Sequence, residues 1–168
     1  MEISIFEHSN NKLTTVYAHE KISNIIPSDI FETLKKQFTQ KKAFMLESNL
    51  KGEKSYSFMG FNPLETIRIK DELTYLEKDE ETKIIVGNPV INLENFLYKY
   101  QGDKISDLPP FYGGVTGYIG YDFVRYLEKI NLPETNLFEE SEACLMLFDE
   151  VIAIDHENEK VFVIINIL

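Results

Sequence analysis

The stretch from Pro109 to Glu128 constrains this chain more than any other. Four of the eight glycines, Gly113, Gly114, Gly117 and Gly120, fall inside it, interleaved with Phe111, Tyr112, Tyr118, Tyr121, Phe123 and Tyr126. Glycine loses more backbone freedom on folding than any other residue, so such a cluster implies tight turns, positive φ, or close approach of another backbone or a ligand. The aromatic side chains supply the burial that offsets this loss. A phosphate cradle is one use for clustered glycines, but neither Gly-x-Gly-x-x-Gly nor Gly-Lys-Ser/Thr occurs in the stretch. The other reading is a small-residue strand crossing under a neighbouring sheet, turning at Gly120-Tyr121-Asp122 into a short helix from Asp122 to Glu128.

Length and charge narrow the function classes. At 168 residues the chain, 1–168, is expected to form one domain with a sizeable core. A net charge of −11, from 17 Lys and Arg against 28 Asp and Glu, argues against a nucleic-acid partner, and the pairs Lys35-Lys36 and Lys41-Lys42 form no basic patch. Cys144 is the only cysteine, which rules out an intramolecular disulfide and a thiolate metal cluster. Inside Ala143-Cys144-Leu145-Met146-Leu147-Phe148 it reads as a small buried hydrophobe. Glu2 and Glu7 argue against a signal peptide, and the apolar tract Val161 to Leu168 falls well short of the ~20 residues of a membrane span. A soluble cytoplasmic protein is expected.

Taken in order, Met1 to Pro27 reads as a hairpin around Ser9-Asn10-Asn11. Pro27-Ser28-Asp29 opens a helix capped by Ser28 or Asp29, with Ile30, Phe31, Leu34 and Phe38 on its apolar stripe. Ala43 to Glu47 reads as a buried strand, Asn49 to Lys54 as a polar loop, and Tyr56 to Phe61 as the returning strand. Thr66–Lys70 and Leu73–Glu77 alternate cleanly and Lys83–Val86 follows another charged turn, together an antiparallel meander with one wet face. Leu93, Phe96, Leu97 and Tyr100 mark an amphipathic helix from Asn92, which would cap it. After a polar loop from Asn131 to Glu142, Ala143–Ile154 and Val161–Ile167 read as two apolar strands joined by a charged turn. The fold class is α+β, mostly antiparallel sheet with two or three helices. A chain ending in an apolar strand would leave a sheet edge at Val161 to Leu168, so the native protein is expected to continue or to have that edge covered.

No nucleophile, base and orienting group come together in the pattern. His8, His19 and His156 fall in expected loops without metal-ligand spacing, so no catalytic residue and no metal ligand is assigned. The best candidate is a binding site at Glu47, Ser48 and Lys54. A carboxylate, a hydroxyl and an ammonium complement a zwitterionic amino acid, although the same residues would also serve as a surface ion pair.

Two motifs carry a resemblance. Pro110-Phe111-Tyr112-Gly113-Gly114-Val115-Thr116-Gly117-Tyr118-Ile119-Gly120-Tyr121-Asp122, together with Phe44-Met45-Leu46-Glu47-Ser48 and Ser55-Tyr56-Ser57-Phe58-Met59-Gly60, resembles the N-terminal lobe of the chorismate-utilising enzymes, anthranilate synthase component I and aminodeoxychorismate synthase component I. Met45 replaces a usual leucine, and Ser55 a common arginine. The resemblance implies a truncated lobe of a lyase that converts chorismate, with Mg2+ and ammonia from a glutamine amidotransferase component II, to anthranilate and pyruvate in tryptophan biosynthesis. It implies that the catalytic and magnesium residues lie in a C-terminal part absent here. It also implies that Glu47 and Ser48, with Lys54 as a looser match, form part of an allosteric tryptophan feedback site. Glu47 in place of Asp before Ser48 leans toward anthranilate synthase. A stand-alone binding module without catalysis is the alternative from another class.

Overall fold

The computed structural model describes residues 2–9, 12–37, 42–48, 55–130 and 140–168. Its strands and helices run β1 (Glu2–Glu7), β2 (Thr14–Lys21), α1 (Pro27–Lys35), β3 (Ala43–Glu47), β4 (Tyr56–Phe61), β5 (Glu65–Lys70), β6 (Leu73–Lys78), β7 (Glu81–Ile85) and α2 (Pro89–Lys99). They continue with β8 (Gly114–Ile119), a 3-10 turn (Tyr121–Tyr126), β9 (Ala143–Phe148), β10 (Glu150–Asp155) and β11 (Lys160–Ile167). The expected α+β fold of mostly antiparallel sheet is observed. The chain builds two compact units, one from Met1–Pro63, Gly102–Gly114 and Phe148–Leu168, the other from Leu64–Gln101 and Val115–Leu147.

The first unit holds a six-stranded sheet ordered β1-β2-β11-β10-β4-β3. Alternation along β4 and β10 turns Met59, Phe61 and Ile154 toward α1, whose Ile30, Phe31 and Leu34 pack on them. Burying each such side chain contributes about 1.5–3 kcal/mol. Proline at the start of α1 has no N–H to leave unpaired, and Ile26 stands at the cap without a side-chain bond. Ser28 and Asp29, expected as caps, therefore sit inside the first turn, where the Asp29 carboxylate favours the helix dipole. On the opposite face Ala153, Phe162 and Ile164 pack with Tyr17, Phe58, Leu108 and Tyr112.

Three expectations about this sheet fail. Ala143–Ile154 is not one strand: the chain breaks at Asp149, and β9 and β10 belong to different sheets. Val161 to Ile167 is no edge either, because β11 pairs with β10 on one side and with β2 on the other. The edges are β1 and β3, so the strand expected to be buried, Ala43 to Glu47, lies at the margin.

The second unit holds a five-stranded sheet, β7-β6-β5-β9-β8, whose β5-β6-β7 portion is the expected meander. Leu93 and Phe96 of α2 join Ile67, Ile69, Leu145 and Leu147 in its core. The helix starts earlier than its apolar stripe, at Pro89, and Asn88 Oδ1 caps it by accepting from Val90 N at 2.8 Å. Asn92, expected as the cap, donates instead to Thr74 Oγ1 at 3.0 Å. Cys144 is half-buried rather than enclosed.

The glycine-rich stretch forms β8 and then the 3-10 turn, close to expectation. Gly117 has φ +155°, and a Cβ there would overlap the Cys144 carbonyl of β9. At the end of the turn, the Tyr126 hydroxyl donates to Glu142 Oε2 at 2.8 Å and accepts from Glu72 N at 3.0 Å. Burial and that carboxylate push the Tyr126 pKa up to about 12.

Gly117→Ala should therefore destabilise the protein by about 3 kcal/mol or more, since it combines a strained φ with a clash against rigid backbone. Gly114→Ala, also at positive φ but with only Phe111 at 3.7 Å, isolates the φ penalty and should cost about 1 kcal/mol. Urea unfolding of the pair checks the difference; equal midpoints would overturn the close-approach account.

Candidate ligand site at the margin of the first sheet

Glu47 is the last residue of β3, set opposite Ser57 of β4. Its side chain is exposed and has no hydrogen-bond or ion-pair partner among the described residues. Ser48 follows half-buried, fixed by its backbone: its N–H donates to Tyr56 O at 2.9 Å and its carbonyl accepts from Ser55 Oγ at 2.7 Å. The structure thus places Glu47 and Ser48 side by side at a rigid strand end. Lys54, the third expected member, lies outside the described residues.

Sheet order brings in residues that the sequence did not single out for this site. Because β10 pairs with β4, the turn after β10 lies beside the β3–β4 end, and His156 N donates to Ser55 O at 3.0 Å. Ser57 Oγ and His156 Nε2 are 2.8 Å apart. A hydroxyl beside an imidazole is the start of a nucleophilic pair, but Ser57 has 0% exposure, so no substrate reaches it. The contact instead locks the turn to the sheet.

Asp155 completes that lock. Its Oδ1 accepts from Glu157 N at 3.1 Å and Asn158 N at 3.0 Å, and its Oδ2 from Asn158 Nδ2 at 2.8 Å. Burial works to raise its pKa, but these donors and the Tyr56 hydroxyl outweigh it and hold the carboxyl below its ordinary range. Burial raises the Tyr56 pKa, and Asp155 raises it further. Among the described residues no cluster of three or more His, Cys, Asp or Glu is placed to hold a metal, so this donor set does not fit the implied Mg2+. Among the same residues no helix is long and apolar enough to cross a membrane.

Among the described residues this margin presents an exposed carboxylate without a partner and a serine held by its backbone. No family model matches the chain. It is 35% identical to anthranilate synthase component 1 of Acetivibrio thermocellus over 128 residues, 74% of this chain and 26% of that protein. It is 26% identical to aminodeoxychorismate synthase component 1 of Bacillus subtilis over 77% of this chain and 27% of that protein. The crystal structure of anthranilate synthase component I from Streptococcus pneumoniae TIGR4 shares the fold, with TM-score 0.55 and 23% identity over 86% of this chain and 32% of that one. Its likeness is to the N-terminal lobe of anthranilate synthase component I, among the chorismate-utilising enzymes, and the chain spans about a quarter of the length of the curated relatives it matches.

A carboxyl with a lowered folded pKa adds stability above its unfolded value and loses it as pH falls through the folded one. The contribution of Asp155 should therefore be present above its ordinary value of 3.8 and vanish below it. Asp155→Asn should lower stability at neutral pH and flatten the acid limb of a stability–pH profile from chemical denaturation. A variant profile parallel to the parent would refute the assignment.

Proposed function

We propose that this chain serves as the N-terminal structural and regulatory lobe of an anthranilate synthase component I, carrying part of a tryptophan feedback site. The sequence identity to anthranilate synthase component 1 over three quarters of the chain carries this reading. In it the lobe performs no chemistry. Chorismate, magnesium and a glutamine amidotransferase that supplies ammonia engage the larger remainder of the enzyme, which forms anthranilate and pyruvate. Tryptophan places its ammonium on Glu47, with Ser48 bonding either end and Lys54 holding the carboxylate. Bound between the lobe and the catalytic part, it favours one arrangement of the two and so lowers turnover.

Two features support the assignment. The Glu47 carboxylate is exposed and has no partner among the described residues, as suits a ligand-facing group. One face of the first sheet also bears a bare apolar stripe. Ile5, Val16 and Ile165 stand in register, as do Ile3, Ala18 and Val163, and Ile3, Ile5, Val163 and Ile165 are 40–68% exposed. The remainder of a larger enzyme would cover such a stripe. The weaker identity to aminodeoxychorismate synthase favours that folate-pathway enzyme as the second reading.

In the complete enzyme, Glu47→Ala should weaken tryptophan inhibition about tenfold or more, the worth of a charge-assisted hydrogen bond, while turnover without tryptophan is kept. Unchanged inhibition would defeat the sensing role. Chromatography of the product, anthranilate against aminodeoxychorismate, decides between the two enzymes.

A further inference from the structure

The other face of the same sheet carries a hollow, at the β1-β2-β11 side and away from β3. Strand register builds it: Ser4 stands opposite Tyr17, His19 opposite Phe162, and Lys21 opposite Lys160. With Asp107 from the 102–114 segment, Ser4, Tyr17, His19, Lys160 and Phe162 line a space of about 380 Å³, within the range of small-molecule sites. Phe162 is the buried floor, with the His19 ring edge-on to it at 5.3 Å between centroids.

The charges make this more than a crevice. Like charges directly opposite on an antiparallel ladder repel, and neither Lys21 nor Lys160 has a carboxylate partner among the described residues. The Ser4 and Tyr17 hydroxyls likewise have no hydrogen-bond partner among them. An anion would relieve the repulsion, and the aromatic lining selects one with a planar apolar body. The Asp107 carboxylate disfavours a multiply charged anion and accepts from a ligand donor.

We propose that this hollow binds a small planar carboxylate, its charge on Lys160 and Lys21, its ring against Phe162 and Tyr17, and a hydroxyl or amino donor on Asp107. The site is separate from Glu47 and does not depend on the tryptophan reading. The test is an amide-shift titration of the 15N-labelled chain with 4-hydroxybenzoate, benzoate and inorganic phosphate. The expected result is saturable shifts centred on Ser4, Tyr17, His19, Lys160 and Phe162, with 4-hydroxybenzoate binding in the millimolar range and tighter than benzoate. Lys160→Met should weaken both ring acids about tenfold and Lys160→Arg should retain them, while Asp107→Asn should erase the advantage of 4-hydroxybenzoate over benzoate. The proposal is overturned if the parent chain shows no saturable shifts there, if phosphate produces the same shifts as strongly, or if a folded Lys160→Met binds like the parent.

Discussion

The first unit depends on one buried amide. Asn166, in β11, donates through Nδ2 to the carbonyls of Tyr112 at 2.8 Å and Asp149 at 3.1 Å, and accepts on Oδ1 from Thr15 Oγ1 at 2.7 Å. Thr15 in turn lies 2.9 Å from His8 Nε2, and His8 Nδ1 accepts from Asp103 N at 2.7 Å. Because Nδ1 is an acceptor, the ring proton sits on Nε2, and every donor in the series points the same way. His8, Thr15 and Asn166 are all buried, so each bond is compulsory: an unmatched group would cost about 1–3 kcal/mol. The series ties the N-terminal hairpin, the 102–114 segment and the β9–β10 junction to one strand. Gly113 belongs to the same arrangement, since at φ +146° a Cβ would run into the Asn166 amide.

Local pattern made the elements legible but not their partners. Thr66–Lys70 and Leu73–Glu77 alternate apolar and polar residues as strands do, and the helices show their stripes. The run Ala143 to Ile154 gives no such cue. Most of its residues are buried in one sheet or the other, so it reads as a nearly continuous apolar run, and the acidic pair Asp149-Glu150 is its one sign of a change of sheet. The misjudged edge at β11 has the same origin. Its neighbour β2 lies at the other end of the chain, and short-range periodicity carries no information about a pairing of that span. The caps were misplaced because proline takes the first helical position in both helices, which puts Ile26 at the cap of α1 and Asn88 at that of α2.

The candidate site was half legible for a related reason. Glu47 and Ser48 are adjacent in sequence and end a strand, so their juxtaposition needs no long-range information. Asp155 and His156 reach the same margin only because β10 pairs with β4, and nothing near them in sequence points to Tyr56 or Ser57. Their charged surroundings, Glu157-Asn158-Glu159-Lys160, read as an ordinary solvated turn. The fully buried Ser57 shows why composition misleads here, since a hydroxyl beside an imidazole suggests chemistry until its exposure is known.

The pairing of β11 with β2 also sets the order in which the polypeptide can acquire structure during synthesis. The second unit draws only on residues between Leu64 and Leu147 and can close once those have left the ribosome. The first unit cannot: β1 and β2 emerge first, yet β2 has an unsatisfied side until Lys160–Ile167 is made. Until then the nascent hairpin offers a free strand edge beside exposed Ile3 and Ile5. The protein thus completes its middle before its beginning, and the interval between the two is when it is most exposed to wrong partners.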